Sequence, residues 1–170
     1  MLRVREGRSR FALMGTHLPW EKLAGWRETQ KKAGKKVVVT NGCFDLLHVG
    51  HVRFLQEAKA AGDVLLVGLN GDGSVRELKG ENRPVNPEAD RAEVVASLGC
   101  VDAVVIFPEK RATRFLEAAQ PDIYVKGGDY RPEDLDENEQ AAVRKAGGTV
   151  KVLKLTPGKS TTAVLAKVKT

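Results

Sequence analysis

The sequence predicts an α/β fold, a Rossmann-like, doubly wound sheet of five parallel strands. Strand-length runs of apolar, often β-branched residues alternate with helix-patterned segments from residue 35 onward. The first runs are apolar at every position rather than every second one, as strands covered on both faces are. Turns rich in glycine follow these strands, on the side where an open parallel sheet binds ligands.

Taken in order, residues 1–17 are basic and read as a flexible tail; Phe11-Ala12-Leu13-Met14 is too short for a secretory core. Residues 18–34 form an N-terminal helix, with Pro19 in its first turn and Leu23, Trp26 and Gln30 on one flank. Residues 35–170 form the main domain. Its first strand is Val37 to Asn41, followed by a helix from Val52 to Ala60. Val64 to Leu69 is the second strand, and Asn70-Gly71-Asp72-Gly73-Ser74 reads as a flexible loop. A helix from Pro87 to Ser97 places Arg91, Val94, Val95 and Leu98 on its buried side. Val101 to Phe107 is the third strand, and the helix Arg111 to Ala119 stops before Pro121. Asp122 to Lys126 is the fourth strand, and Pro132 to Ala146 is a charged helix closed by Gly147-Gly148. Thr149 to Leu155 alternates in polarity, which suits an edge strand, and Ser160 caps a last helix to about Lys167.

Bulk composition narrows the function classes. At 170 residues the chain can bury a proper core, and 42% apolar with 29% charged residues is ordinary for a globular protein. No run approaches the roughly 18 apolar residues of a membrane span. The net charge of +6 suits phosphorylated substrates. Only 5% of residues are aromatic and none interleave with a basic stripe, which disfavours nucleic acid as partner. Cys43 and Cys100 have no metal-like or redox spacing, so free thiols in a reducing, cytoplasmic compartment are expected.

The chemistry concentrates between the first strand and its helix, at Asn41-Gly42-Cys43-Phe44-Asp45-Leu46-Leu47-His48-Val49-Gly50-His51. His48 and His51 stand three residues apart, so they share a face of the helix start. The helix terminus adds free N–H groups and partial positive charge. Gly50 leaves bare backbone between them. Together these make an anion site. The competing reading is a metal site, but no Cys or third His stands nearby in sequence to complete one.

This stretch resembles the signature of the H-x-G-H nucleotidyltransferases, the cytidylyltransferase-like superfamily. Three further stretches fit in order and are similar to the members that adenylylate heptose 1-phosphate: Leu78-Lys79-Gly80-Glu81-Asn82-Arg83-Pro84-Val85-Asn86, Val125-Lys126-Gly127-Gly128-Asp129-Tyr130 and Gly158-Lys159-Ser160-Thr161-Thr162. The resemblance covers residues 20 to 168 and implies the H-x-G-H nucleotidyltransferase fold. It implies transfer of AMP from ATP to a sugar 1-phosphate, with Mg2+ bridging the phosphates. It also implies a homodimer, and a sugar kinase as a separate protein in the pathway.

The resemblance makes His48, His51 and Lys79 the catalytic groups. It assigns ATP to Asn41, Gly42, Phe44, Gly50, Gly127, Asp129, Ser160, Thr161 and Thr162 together with the two histidines. The sugar phosphate falls to Lys79, Arg83 and Asp45, although Asp45 can equally fix the turn. Relatives acting on glycerol or ethanolamine phosphate carry an arginine before the last element; here Lys159 stands nearby instead. No carboxylate cluster marks a metal site, as fits a cation held by the nucleotide. Cys43 reads as a buried small residue. Two other readings stand beside this one. The first is a cytidylyltransferase for glycerol or ethanolamine phosphate, or an FMN adenylyltransferase. The second is a non-catalytic nucleotide-binding or nucleic-acid-associated protein.

Overall fold

The computed structural model describes residues 15–128, 131, 134–161 and 164–165. Six strands form one sheet: β1 (Thr16–His17), β2 (Val37–Gly42), β3 (Val64–Asn70), β4 (Ala103–Phe107), β5 (Ile123–Gly127) and β6 (Thr149–Leu153). Their order is β1-β4-β3-β2-β5-β6, and every pairing is parallel. Five of them are the strands expected from the sequence. The sixth, β1, is the addition: two residues inside the stretch read as tail, pairing Thr16 with Ala103 and His17 with Val104. So short a strand leaves no periodicity to detect. Gly15 seats it, because a Cβ there would lie 2.5 Å from the Val101 carbonyl oxygen.

Helices α1 (Leu23–Lys32), α2 (Val49–Lys59), α3 (Asp72–Lys79), α4 (Glu88–Ala96), α5 (Thr113–Ala119) and α6 (Glu137–Lys145) cover the sheet. Leu23 of α1, Phe115 and Leu116 of α5 and Val143 of α6 pack with Val37 and Val39 in one core layer. Leu55 of α2 and Ala92 and Val95 of α4 pack with Val38, Leu65 and Val67 in the other. Alternate residues of β2 thus enter opposite layers, and its four leading residues are all buried. β6 alternates exposed with partly buried positions before Leu153, as an edge strand does.

Three expectations are corrected. Asn70 to Ser74 is not a loop: α3 starts at Asp72, with Gly71 as extended N-cap and Gly73 inside the helix. Its free N-terminus is capped from a neighbouring helix, where Glu88 Oε2 accepts from Asp72 N–H at 2.7 Å. In α4 the buried side is Arg91, Ala92, Val95 and Ala96, while Val94 is exposed. The helix before the fifth expected strand also begins late, at Glu137, where the Asp136 carboxylate accepts from Asn138 and Glu139 N–H. Among the described residues no helix is long and apolar enough to cross a membrane.

The order places the site. From β2 the chain builds outward to β3 and β4 on one side, then returns to add β5 and β6 on the other. The carboxyl ends of β2 and β5 therefore border the switch-point crevice of the sheet.

Candidate active site

β2 ends in Asn41-Gly42 and β5 in Lys126-Gly127, and α2 begins between them in space. Around them open two adjoining lobes. One, of about 410 Å³, is lined by Asn41, Gly42, Phe44, His48, Gly50, His51, Lys79, Gly127, Lys159, Ser160 and Thr161 among others. The second, of about 400 Å³, shares Asn41, Gly42, Phe44, His51, Lys79 and Thr161 and adds Asp45, Arg83 and Lys126. The structure thus gathers His48, His51 and Lys79, the expected nucleotide residues of the strand ends, and Ser160 and Thr161. Asp129 and Thr162 lie outside the described residues.

His48 is the N-cap of α2 rather than part of its first turn, and His51 is its third residue. The pair forms a capping box made of imidazoles. Gly50 N–H donates to His48 Nδ1 at 3.1 Å, and His48 N–H to His51 Nδ1 at 3.4 Å. The rings stack with centroids 3.9 Å apart. Burial, with help from the Lys159 ammonium, lowers the His48 pKa. Burial, with His48 beside it, pushes His51 down to about 4. Both rings are therefore neutral near pH 7. A neutral imidazole whose Nδ1 accepts a hydrogen bond carries its proton on Nε2. The helix start so fixes two Nε2–H donors on the wall of the lobe. A Cβ on Gly50 would lie 2.9 Å from His48 Cε1 and Nδ1 and 3.1 Å from Lys159 Cβ, so the glycine makes room for the ring.

Phe44 is buried, holds a left-handed φ of +44° and sets its ring 5.3 Å from that of His51. The turn that orients the histidines is thereby anchored in the core. Burial raises the Cys43 thiol pKa, against Lys79 and Arg91, as suits an inert half-buried residue. Lys79 is the last residue of α3 and exposed, and its ammonium makes no hydrogen bond or ion pair among the described residues.

Asp45 is a clasp. Its carboxylate accepts from Arg83 Nη1 at 2.5 Å and from Val85 and Asn86 N–H at 2.8 and 3.1 Å, and Asn86 Nδ2 donates to its carbonyl. Arg83 and Asp45 thus hold each other, and they tie the 80–87 connection to the motif turn. Beneath this lies Arg91, 2% exposed, whose guanidinium donates to the carbonyls of Cys43, Asn70 and Asn86 and to Asp72. Sequence reasoning read Arg91 as a buried helix position only. Nothing in one sequence links it to three carbonyls so distant along the chain.

A second polar group was not foreseen either. The Tyr124 hydroxyl lies 2.6 Å from Asn41 Oδ1 and 3.0 Å from Glu139 Oε2. Lys126 Nζ lies 3.3 Å from Asn41 Oδ1 and 3.4 Å from Glu139 Oε2. Asn41 is so held by β5, whose Tyr124 and Lys126 are in turn held by Glu139 of α6. Ser160 O accepts from Val164 N–H at 3.1 Å, the first bond of a helical turn facing the lobe.

No group of three or more His, Cys, Asp or Glu stands together as a metal site among the described residues. Asp45 is the lone carboxylate on the two lobes among those residues, and both its oxygens are already engaged. These side chains do not by themselves fit a divalent cation.

A cytidylyltransferase-like family model matches residues 39–167. The chain is 52% identical to the bifunctional protein HldE of Geobacter metallireducens over 146 residues, 86% of this chain and 29% of that protein. Against HldE of Geotalea uraniireducens it is 51% identical over 148 residues, 87% of this chain and 30% of that protein. This chain thus spans about three tenths of the length of these relatives. Among solved structures, a lipopolysaccharide core biosynthesis protein from Thermoplasma volcanium superposes with a TM-score of 0.59 at 32% identity, over 72% of this chain and 98% of that one. A pantoate-beta-alanine ligase from Francisella tularensis shares the fold, with a TM-score of 0.55 at 14% identity over 82% of this chain and 67% of that one. The imidazole capping box at the switch point, the matched family model and these relatives agree: the chain belongs to the cytidylyltransferase-like family of nucleotidyltransferases.

Proposed function

We propose that this chain transfers the adenylyl group of ATP to a sugar 1-phosphate, D-glycero-D-manno-heptose 1-phosphate foremost, releasing ADP-heptose and pyrophosphate. The observation that carries the reading is the neutral histidine pair at the start of α2, beside a second lobe edged by cationic side chains. The resemblance to HldE over most of this chain favours heptose as the sugar.

In the reaction an ionised oxygen of the acceptor phosphate attacks the α-phosphorus of ATP. The bond from that phosphorus to the oxygen bridging toward the β-phosphorus breaks, and pyrophosphate leaves with the electron pair. The acceptor oxygen is already ionised near pH 7, because a phosphate monoester has its second pKa near 6. No side chain has to act as base or nucleophile. The protein aligns two anions and stabilises the charge growing on the α- and β-phosphates. The Nε2–H groups of His48 and His51 donate to those oxygens; the backbone N–H groups of Gly50 and His51 are already engaged within the cap, so the start of α2 adds its partial positive charge. Lys79, on the boundary of both lobes, neutralises charge shared by donor and acceptor. Gly42 and Gly127, at the ends of β2 and β5, border the part of the lobe that takes the nucleoside, and Ser160 and Thr161 start a helical turn facing the triphosphate tail. A divalent cation such as Mg2+ would arrive with the nucleotide rather than on these side chains, and would supply further neutralisation of triphosphate charge. We place the reaction in the cytoplasm, on a homodimer, downstream of a sugar kinase that makes the 1-phosphate.

The test is a nucleotide panel with heptose 1-phosphate as acceptor, following pyrophosphate release. ATP is expected to exceed CTP, GTP and UTP by at least about 100-fold in kcat/KM. Preference for CTP, or release only with glycerol phosphate or FMN as acceptor, would overturn the assignment.

A further inference from the structure

We infer that Lys126 binds the phosphate of the acceptor, and that Glu139 and Asn41 hold it poised for that contact. The inference rests on the reading of the site as a nucleotidyl-transfer site. Among the described residues, three cationic side chains line the second lobe: Lys79, Arg83 and Lys126. They are not equivalent. Arg83 is drawn into the 2.5 Å bond with Asp45, so its charge is largely matched by a buried carboxylate. Lys79 lines both lobes and stands where donor and acceptor meet. Lys126 lines the second lobe and not the first.

Its setting suits a ligand contact better than a finished structural pair. The side chain is 20% exposed, its two polar contacts are long, 3.3 Å to Asn41 and 3.4 Å to Glu139, and its ammonium lies 5.3 Å from the centre of the Tyr124 ring. Those partners use two of the three ammonium donors, which leaves one for a ligand. Glu139 is 5% exposed and does not depend on Lys126 alone: Oε1 accepts from Ala112 N–H at 3.1 Å, and Oε2 lies 3.0 Å from the Tyr124 hydroxyl. A dianionic phosphate entering the lobe therefore draws the ammonium forward while Glu139 keeps its other partners. The position also fits the geometry of transfer. Lys126 stands at the carboxyl end of β5, beside the carboxyl end of β2, which leads into the histidine turn. An acceptor oxygen held there faces the phosphates bound by His48 and His51. The ligand class is a phosphomonoester on a polyol or sugar, and Lys126 selects for it by charge.

Lys126→Met removes the charge, and Lys126→Gln removes it while keeping hydrogen-bonding capacity toward Glu139 and Asn41, should the Met variant not fold. Initial rates are measured while heptose 1-phosphate is varied at saturating ATP, and while ATP is varied at saturating heptose 1-phosphate. Binding of heptose 1-phosphate alone is followed by calorimetry. The expected result is a rise of at least tenfold in KM and Kd for heptose 1-phosphate, with KM for ATP within about twofold of wild type. Lys126→Arg recovers part of the loss, because it restores the charge with a different shape. An acceptor KM within twofold of wild type, or an ATP KM that rises as far as the acceptor KM, would overturn the assignment of Lys126. Wild-type enzyme that binds heptose 1-phosphate through Lys126 yet releases no pyrophosphate would overturn the adenylyl-transfer reading and leave the Lys126 contact standing. Wild-type enzyme that neither binds nor consumes it would overturn both.

Discussion

Each histidine of the pair does two things at once. Its Nδ1 satisfies a backbone N–H at the start of α2, and that same bond leaves the proton on Nε2. Gly50 is part of this device, since a Cβ would press on the His48 ring. Gly50→Ala is expected to lower kcat about 100-fold, comparable with losing one transition-state donor, while Tm stays within a few degrees. His48→Ala and His51→Ala are expected to lose about 10²- to 10³-fold in kcat. Near-normal turnover in any of the three would remove the donor role. The pH dependence follows from burial. In the unfolded chain His51 takes up a proton near 6.5, whereas in the folded chain it does so only near 4. Between those values the unfolded state binds more protons, so stability falls as pH falls through that window and is unaffected above it. His51→Gln can still accept from the His48 N–H, as a capping-box glutamine does. Thermal scans from pH 7 to 4.5 should show a shallower loss of Tm in His51→Gln than in wild type. Equal slopes would contradict the burial of a neutral His51. The H-x-G-H spacing was legible in the sequence; the tautomer was not, because it depends on which ring nitrogen meets the backbone.

Elements reach the site through a few buried polar side chains. Asp45 joins the motif turn to the 80–87 connection, and Arg91 joins that turn to the end of β3 and the start of α3. Removing one partner from a buried pair leaves the other charged and unpaired. Asp45→Ala is expected to cost about 3 kcal/mol in denaturant unfolding. Arg91→Met, which strands three carbonyls, is expected to cost at least as much, and Arg91→Lys to recover little, because an ammonium lacks the planar fork. A loss below about 1 kcal/mol for Asp45→Ala would show that the clasp is not holding the turn. The helical and strand segments were legible where apolar periodicity was strong, as in β2, β3 and α2. α3 was not, because Gly71 and Gly73 read as a loop and the cap on Asp72 N–H comes from Glu88 in the next helix. Arg83 was legible as a phosphate-type side chain, but its pairing with Asp45 appears only when the chain folds back.

At the scale of the whole molecule, the sheet order makes the site. Strands added on opposite sides of β2 open a crevice above β2 and β5, and two lobes converge there on Asn41, His51 and Lys79. The parallel sheet and its covered faces followed from continuous apolar runs; the order of strands did not, since two strands alike in sequence can sit on either edge. The setting of Lys126 was not legible in the sequence, because its partners Asn41 and Glu139 belong to another strand and to a helix. The central claim is that the imidazole pair at the start of α2 holds the triphosphate. A crystal structure with a non-hydrolysable ATP analogue tests it most directly. Its α- or β-phosphate oxygens are expected within about 3 Å of His48 and His51 Nε2, as charge-assisted hydrogen bonds require. Triphosphate bound away from both rings, with the lobe between β2 and β5 empty, would contradict it.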